Sequence, residues 1–508
     1  MKVSAQGMRG PTSPDEADSF KPHLHPDSLR RQSISGSAVT FAAQGLRFVV
    51  QTVSQIVLAR LIRPENFGLV AMAAPLIGLV QLVNDLGLSQ VTIQRPEISP
   101  RELSALFWLN VSSTLLLSFL VAALAPAVSW FYAEPGLTLI TTGLAVAVLL
   151  AGLSAQHMAL LNRRMQFGRL AGIDVASTAV AAFVGLGAAE AGLGIWALVL
   201  MQVANAATIL VLSWILARWR PSRPRTEHGI GSFVTFGGSV TAYNVFEYVT
   251  MNLDNVLVGA AYGGAALGFY DRAYKLMIQP LGQITTPFTR VAVPLLSRLQ
   301  GSPETYRQLY LQMLQAMLVI LAPAIVFAIL EADTLVRLLL GEKWLASAPI
   351  FAWLAGGALI LPVSNSTYWL FVSQNRVREQ MFWGGAASAA ILLSFLIGLP
   401  WGPIGVARSS TICYWIIHLP VLLTVATRDG PVRLRHVVNG CSPILAGAAI
   451  ASASVFCADS MLAISPFPRL LVTLLVAYVS QALVLAVLPA GQRMLRDAWS
   501  LRSAYTEH

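Results

Sequence analysis

Charge is what this sequence has least of. Asp, Glu, Lys and Arg make up 11% of its 508 residues, and hydrophobic residues 56%. Soluble domains carry roughly 25% charged residues, so a domain facing water on all sides is excluded. Cysteine is almost as scarce. Cys413, Cys441 and Cys457 are the whole set, all within or at the ends of apolar runs and without CxxC or Cys/His spacing. A disulfide framework and a zinc site are thereby removed from consideration. Seven histidines are scattered with no i, i+4 pair. No Walker A sequence is present, so the chain does not power itself with ATP. Long polar loops are missing too. The longest outer one, about 331–345, offers Glu331, Asp333 and Glu342 without a partner set. A polymerase or ligase needs acid–base groups on such a loop. The expectation is therefore no enzyme, no metal and no cofactor.

What the chain does have is apolar runs of about 20 residues along most of its length, the length that crosses a bilayer. The fold expected is an all-α polytopic membrane protein of about 14 spans. They lie near 36–60, 66–89, 103–129, 137–157, 171–190, 194–217, 233–262, 265–297, 308–330, 345–373, 381–399, 402–426, 441–458 and 467–489. Pro280 and Pro287 are expected to kink the eighth. The net charge of +10 sits in short loops. Alternate loops are rich in arginine, among them Arg163, Arg164 and Arg169, Arg220 and Arg223, Arg376 and Arg378, and Arg433 and Arg435; the loops between are nearly bare. This is positive-inside patterning. It places both termini of a multi-pass membrane protein in the cytoplasm and removes any need for a nucleic-acid partner.

A weak internal repeat organises these spans. GSAVT from Gly36 recurs as GGSVT from Gly237, and Phe67-Gly68-Leu69 matches Leu267-Gly268-Phe269. Each copy opens with a helical stripe of polar residues. The first is Thr40, Gln44, Arg47, Gln51 and Gln55; the second is Thr241, Asn244, Glu247, Met251 and Asp254. Spacings of three and four place each set on one helix face. An even number of spans between the copies makes the repeat parallel, a known transporter plan. The expected organisation is a disordered cytoplasmic tail (1–33), an N-lobe (34–217), a linker (218–232) and a C-lobe (233–427). Accessory helices (428–489) and a second cytoplasmic tail (490–508) follow. Two pseudo-twofold six-helix lobes would then surround a central cavity.

The charges left inside spans include Arg47, Asp85, Asp174, Glu247, Asp254, Asp271, Arg272, Lys275, Arg290 and Arg408. A cation at mid-bilayer costs roughly 2.5–3.5 kcal/mol on insertion scales, so it should face protein or water. Asp174, near the start of its span, suits a helix N-terminus. Asp271 and Lys275 can pair across one turn, leaving Arg272 to point elsewhere. SNSTYW, from Ser364 to Trp369, offers hydroxyls and two aromatics either to a sugar or to helix packing.

Two stretches carry a resemblance. LARLIRPENFGLVAMA, Leu58 to Ala73, and LGFYDRAYKLMIQPLGQITTPFTRVAVPLLSRLQ, Leu267 to Gln300, resemble bacterial polysaccharide exporters. The likeness is to lipid-linked oligosaccharide flippases of the colanic-acid-exporter type. These belong to the superfamily of multidrug extruders and the peptidoglycan-precursor flippase. The resemblance implies alternating-access transport of an undecaprenyl-pyrophosphate-linked repeat unit across the inner membrane, for exopolysaccharide or lipopolysaccharide biosynthesis. Polymerase and chain-length or export proteins are candidate partners beside the lipid-linked oligosaccharide and the bilayer. Under this reading Arg47, Gln51, Arg272, Lys275, Tyr368 and Trp369 contact substrate. Glu247, Asp254 and Asp271 serve coupling or charge balance. A multidrug-type cation antiporter of the same superfamily is the alternative; its site should be acidic, whereas this core holds at least as many cations as anions.

Overall fold

The computed structural model describes residues 26–84, 88–95, 98–223, 231–461 and 465–494. Among them every regular element is helical. The chain runs α1 (Pro26–Leu61), α2 (Pro64–Asn84), α3 (Leu88–Gln94), α4 (Pro100–Tyr132), α5 (Leu137–Arg163), α6 (Phe167–Glu190) and α7 (Ile195–Ala217). Then come α8 (Gly231–Arg298), α9 (Pro303–Leu330), α10 (Ala332–Leu339), α11 (Ala348–Ala358), α12 (Leu361–Ser373) and α13 (Val377–Gly398). The last are α14 (Gly402–Cys413), a π-helical turn (Tyr414–His418), α15 (Leu419–Ala426), α16 (Leu434–Met461) and α17 (Pro466–Val487). Asp85 lies outside the described residues. Helix α1 starts at Pro26, inside the stretch expected as a disordered tail; proline's fixed φ suits a first helical position.

Ten stretches among the described residues are long and apolar enough to cross a membrane. One of them, Val377–Ala426, is 50 residues long. It is a hairpin, with α13 packed on α14. A Cβ on Gly398 would strike the carbonyl of Gly405, and one on Gly405 would strike that of Gly398. Two facing glycines let the arms close, and Gly402 at φ +73° makes the turn. The stripe-bearing helices α1 and α8 are not among the ten, because polar residues interrupt their apolar faces.

The chain divides into two compact units, one ending at Met251 and the other beginning at Asn252. The boundary falls inside α8. In the first unit α4 packs on α5, α5 and α6 on α7, and α6 on α1. Helix α4 is started by a capping box: Glu102 N–H donates to the Ser99 hydroxyl at 3.1 Å, and Ser99 N–H to the Glu102 carboxylate at 2.8 Å. An aromatic core seals one end. Phe107, Trp219 and Leu160 are buried together, and His157 stacks on Trp214 with ring centroids 4.4 Å apart. In the second unit α9 packs against α11, α16 and α17. Helix α17 is pinned by Tyr478, which donates to the Ile320 carbonyl at 2.7 Å, and by Gln481, which donates to that of Val319 at 3.2 Å.

Burial runs opposite to that of a soluble protein. Phe119, Phe183 and Ile416 are exposed, whereas Thr114, Thr141, Ser213 and Thr473 are buried. In a bilayer, apolar side chains face lipid at no cost, and small hydroxyls let helices approach closely.

Candidate functional site

Helix α8 holds the second polar stripe and most of the buried charge. Its backbone leaves the helical region at Gly263 (φ 78°, ψ −177°). The Tyr270 hydroxyl donates to the Asp254 carboxylate at 2.8 Å. Sixteen residues of straight helix would span about 24 Å, so the chain folds back at Gly263. The YGGAALG segment supplies that turn because only glycine adopts this φ without strain. Asp254 is buried, and its other oxygen accepts the Asn255 N–H at 2.8 Å.

One residue beyond Tyr270 stands a charge cluster. Asp271, with 5% of its side chain exposed, accepts from Lys275 Nζ at 2.8 Å. Arg272 also donates to it, through Nη2 at 3.1 Å and Nε at 3.3 Å. This corrects the expectation that Arg272 points away from the Asp271–Lys275 pair. One carboxylate, with two oxygens to offer, holds both cations. Arg272 keeps 11% of its side chain exposed and Lys275 40%. Lys275 is thus the more exposed of the two cations.

The first stripe is looser. Arg47 Nη1 lies 3.9 Å from the Asp174 carboxylate on α6, with 42% and 33% of the two side chains exposed. Asp174 therefore serves as a counter-ion across two packed helices as well as sitting near a helix start. Gln51 and Gln55 are half-buried on the same face as Arg47, and Gln44 is exposed. Glu247 belongs to the opposite stripe, but its side chain lies outside the described residues, as do those of Thr241 and Asn244.

The SNSTYW run divides. The Ser366 hydroxyl bonds the Tyr310 hydroxyl at 2.7 Å, Ser364 bonds His418 Nε2 at 3.2 Å, and Thr367 donates to the Ser364 carbonyl at 2.7 Å. These groups join α12 to α9 and to the π-helical turn. Trp369 is fully buried, and its indole N–H donates to Thr289 at 3.0 Å. It has no ring face left for a sugar, which corrects its assignment as a stacking surface. Tyr368, its neighbour, is exposed. Alternation about the helix axis puts the two rings on different faces.

Sequence reasoning assigned Tyr270 no role in the stripe, though it is the partner of Asp254. The available signal was the Gly263-Gly264 pair, which marks a turn and hence a cross-turn contact seven to nine residues away on either side. The basic loops also do more than set topology. Arg164 donates to the Ala217 carbonyl at 2.7 Å, at the end of α7. Arg376 donates to the Val425 and Ala426 carbonyls at 2.9 and 3.2 Å, at the end of α15, while forking onto Glu379 at 2.8 and 2.9 Å. Cations suit helix C-termini, where carbonyls lack partners. Both loops turn through a left-handed residue, Met165 and Asn375. Among the described residues no group of three or more His, Cys, Asp or Glu is placed to hold a metal ion.

A family model described as "Polysaccharide biosynthesis protein" matches residues 57–349. The chain is 26% identical over 385 residues to the teichuronic acid biosynthesis protein TuaB of Bacillus subtilis, covering 74% of this chain and 80% of that one. It is 26% identical over 356 residues to the lipopolysaccharide biosynthesis protein WzxC of Escherichia coli, covering 69% and 72%. Among solved structures it is similar to the lipid II flippase MurJ in an inward closed conformation. There the TM-score is 0.71 at 13% identity, with 89% of this chain and 98% of that one covered. At that identity the likeness shows a shared fold.

Proposed function

The chain belongs to the family of polysaccharide biosynthesis proteins, and on that footing we propose that it flips a lipid-linked oligosaccharide across a bacterial inner membrane. The substrate is an undecaprenyl-pyrophosphate-linked repeat unit, and the protein passes it from the cytoplasmic to the periplasmic leaflet by alternating access. Fourteen helices cross the membrane. The polar-striped α1 and the two arms of α8 count among them, and both termini are cytoplasmic. A polymerase and chain-length or export proteins consume the product.

The observation that supports an anionic substrate is the cluster on α8, where one buried carboxylate, Asp271, is bonded by both Arg272 and Lys275. A pyrophosphate replaces solvent around Lys275 and meets Arg272 beside it, whose planar fork suits phosphate oxygens. Arg47 offers a second cation whose hold on Asp174 is weak. Tyr368 is the aromatic left to meet sugar. Asp254 couples the cycle: ionised, it adds negative charge beside Asp271, Arg272 and Lys275 and favours release of an anion; protonated, it withdraws that charge and favours binding. A cation antiporter would need net negative charge here, and only an ionised Glu247 alongside Asp254 would give it.

Substituting Arg272 tests the reading. In cells that depend on this protein for polymer export, Arg272→Ala should abolish export while membrane abundance stays normal. Arg272→Lys should restore part of it, since the charge survives without the fork. Loss of the protein itself in Arg272→Ala would make the residue structural and remove the site.

A further inference from the structure

A second binding feature lies in the unit that begins at Asn252, lined by helices other than α8. A cavity of about 520 Å³ is lined by Ile329, Trp353, Gly356, Thr411, Ile412 and Trp415 among others. Its two tryptophan walls are fixed by hydrogen bonds. Helix α11 ends at Ala358, and Ile360 N–H turns to the Gly357 carbonyl. The Gly356 carbonyl is taken instead by the Trp415 indole N–H at 2.9 Å. Thr411, one helical turn earlier, donates to the Trp353 carbonyl at 2.7 Å. The π-helical turn at Tyr414–His418 shifts Trp415 out of the ordinary helical register, and such turns recur at functional sites. Gly356 adds no side chain to the floor. The cavity is thus apolar and pre-formed, the usual character of a ligand site.

At its rim stands Arg408, one turn before Thr411 and Ile412 on the same face of α14. Its guanidinium lies 5.5 Å from the centre of the Trp353 ring. The side chain is exposed, and it has no acidic partner among the described residues. Helical side chains lean toward the N-terminus, so the charge leans toward the Gly402 end of α14. That end is about 9 Å away along the axis, within reach of a membrane interface. An exposed cation inside a span needs an anion or water, and an apolar cleft beside it needs a chain.

We propose that this cleft binds one acyl chain of an anionic glycerophospholipid whose phosphate sits on Arg408. A single guanidinium matches a phosphodiester carrying one charge; a diphosphate finds two cations at Asp271. The site is therefore a resident-lipid site, separate from the transported molecule.

The test uses the full-length protein in phosphatidylcholine vesicles, with chain-spin-labelled phosphatidylglycerol or phosphatidylcholine as probe. The motionally restricted fraction is read by electron paramagnetic resonance. Wild type should prefer phosphatidylglycerol on the order of 2- to 5-fold, the size expected of one partly exposed ionic contact. Arg408→Gln should bring the ratio to one, and Arg408→Lys should keep most of it. Ala352 also lines the cleft, and Ala352→Trp, which fills it, should lower the restricted fraction of both lipids. Should Arg408→Gln or Ala352→Trp not fold, the comparison of the two lipids on wild type still decides. Soluble glycerol phosphate should displace nothing. Equal restriction of the two lipids by wild type, or a preference that survives Arg408→Gln, overturns the proposal. So does stronger displacement by a polyprenyl phosphate at equal mole fraction. Export by Arg408→Gln should match wild type, so this site and the transport site fail independently.

Discussion

The two polar stripes look alike in sequence and differ in the folded chain. On α8, Asp271 is buried and both of its cations lie within 3.3 Å. On α1, Arg47 stands 3.9 Å from Asp174 and both are partly exposed. A buried, fully bonded cluster repays the desolvation of its charges and is expensive to dismantle. A loose, wetted pair contributes little to stability and can exchange partners at little cost. The first arrangement holds a charge in place. The second leaves a charge available.

The largest effect should come from Asp271→Ala, which removes the buried carboxylate that Arg272 and Lys275 share. Breaking one side of a buried ion pair costs roughly 3–5 kcal/mol, so the protein should fall in membrane abundance and lose heat resistance. Asp271→Ala combined with Lys275→Met should recover part of both, because one orphaned charge is gone. Heat inactivation equal to wild type in the single variant would erase the contrast between the stripes.

Tyr270→Phe should come next. It leaves the Asp254 carboxylate without one of its two hydrogen bonds, a loss of roughly 1–3 kcal/mol for a buried acceptor. Because the bond spans the Gly263 turn, proteolysis or hydrogen exchange near Tyr262 and Gly263 should rise more than elsewhere. A uniform rise would mean that the bond does not secure the turn. Arg376→Ala should be of comparable size. Arg376 bonds two terminal carbonyls and a carboxylate, and its loss leaves all three short of a donor. Thermal stability of Arg376→Ala measured beside Tyr270→Phe checks the ranking; a wild-type melting temperature for Arg376→Ala would show that the loop does not depend on it.

Much of this was legible in the sequence, for physical reasons. Apolar runs at bilayer length announced the helices, and the lack of charge outside short loops ruled out other classes. The Gly-Gly pair announced the fold-back in α8. What periodicity places on one face, however, it does not place at one depth. Arg47 and Asp254 read as charges on equivalent stripes, yet Arg47 is wetted and Asp254 is sealed by Tyr270, a contact set by the turn between Asp254 and Tyr270. Trp369 and Tyr368 read as a pair; their adjacency in sequence sends one ring inward and one outward. The same limit hid Asp174, whose pairing with Arg47 joins helices more than a hundred residues apart.

Arg47→Ala should have the smallest effect on stability and a large one on function, and that combination separates the two stripes most sharply. Removing Arg47 breaks a 3.9 Å pair that is open to solvent. Exposed pairs are worth about 0–1 kcal/mol, and Asp174, already one-third exposed, stays hydrated. Membrane abundance should therefore stay at wild-type level. If Arg47 is the mobile cation of an anion site, export should nevertheless be lost. Asp174→Asn discriminates further. It frees Arg47 without removing it, so export should persist, or rise if the pair competes with substrate. Were the pair itself the working element, both variants would lose export equally. Measuring abundance and polymer separately for the two variants decides between a cation that binds and a pair that braces. Normal export by Arg47→Ala at wild-type abundance would confine the anion site to Arg272 and Lys275.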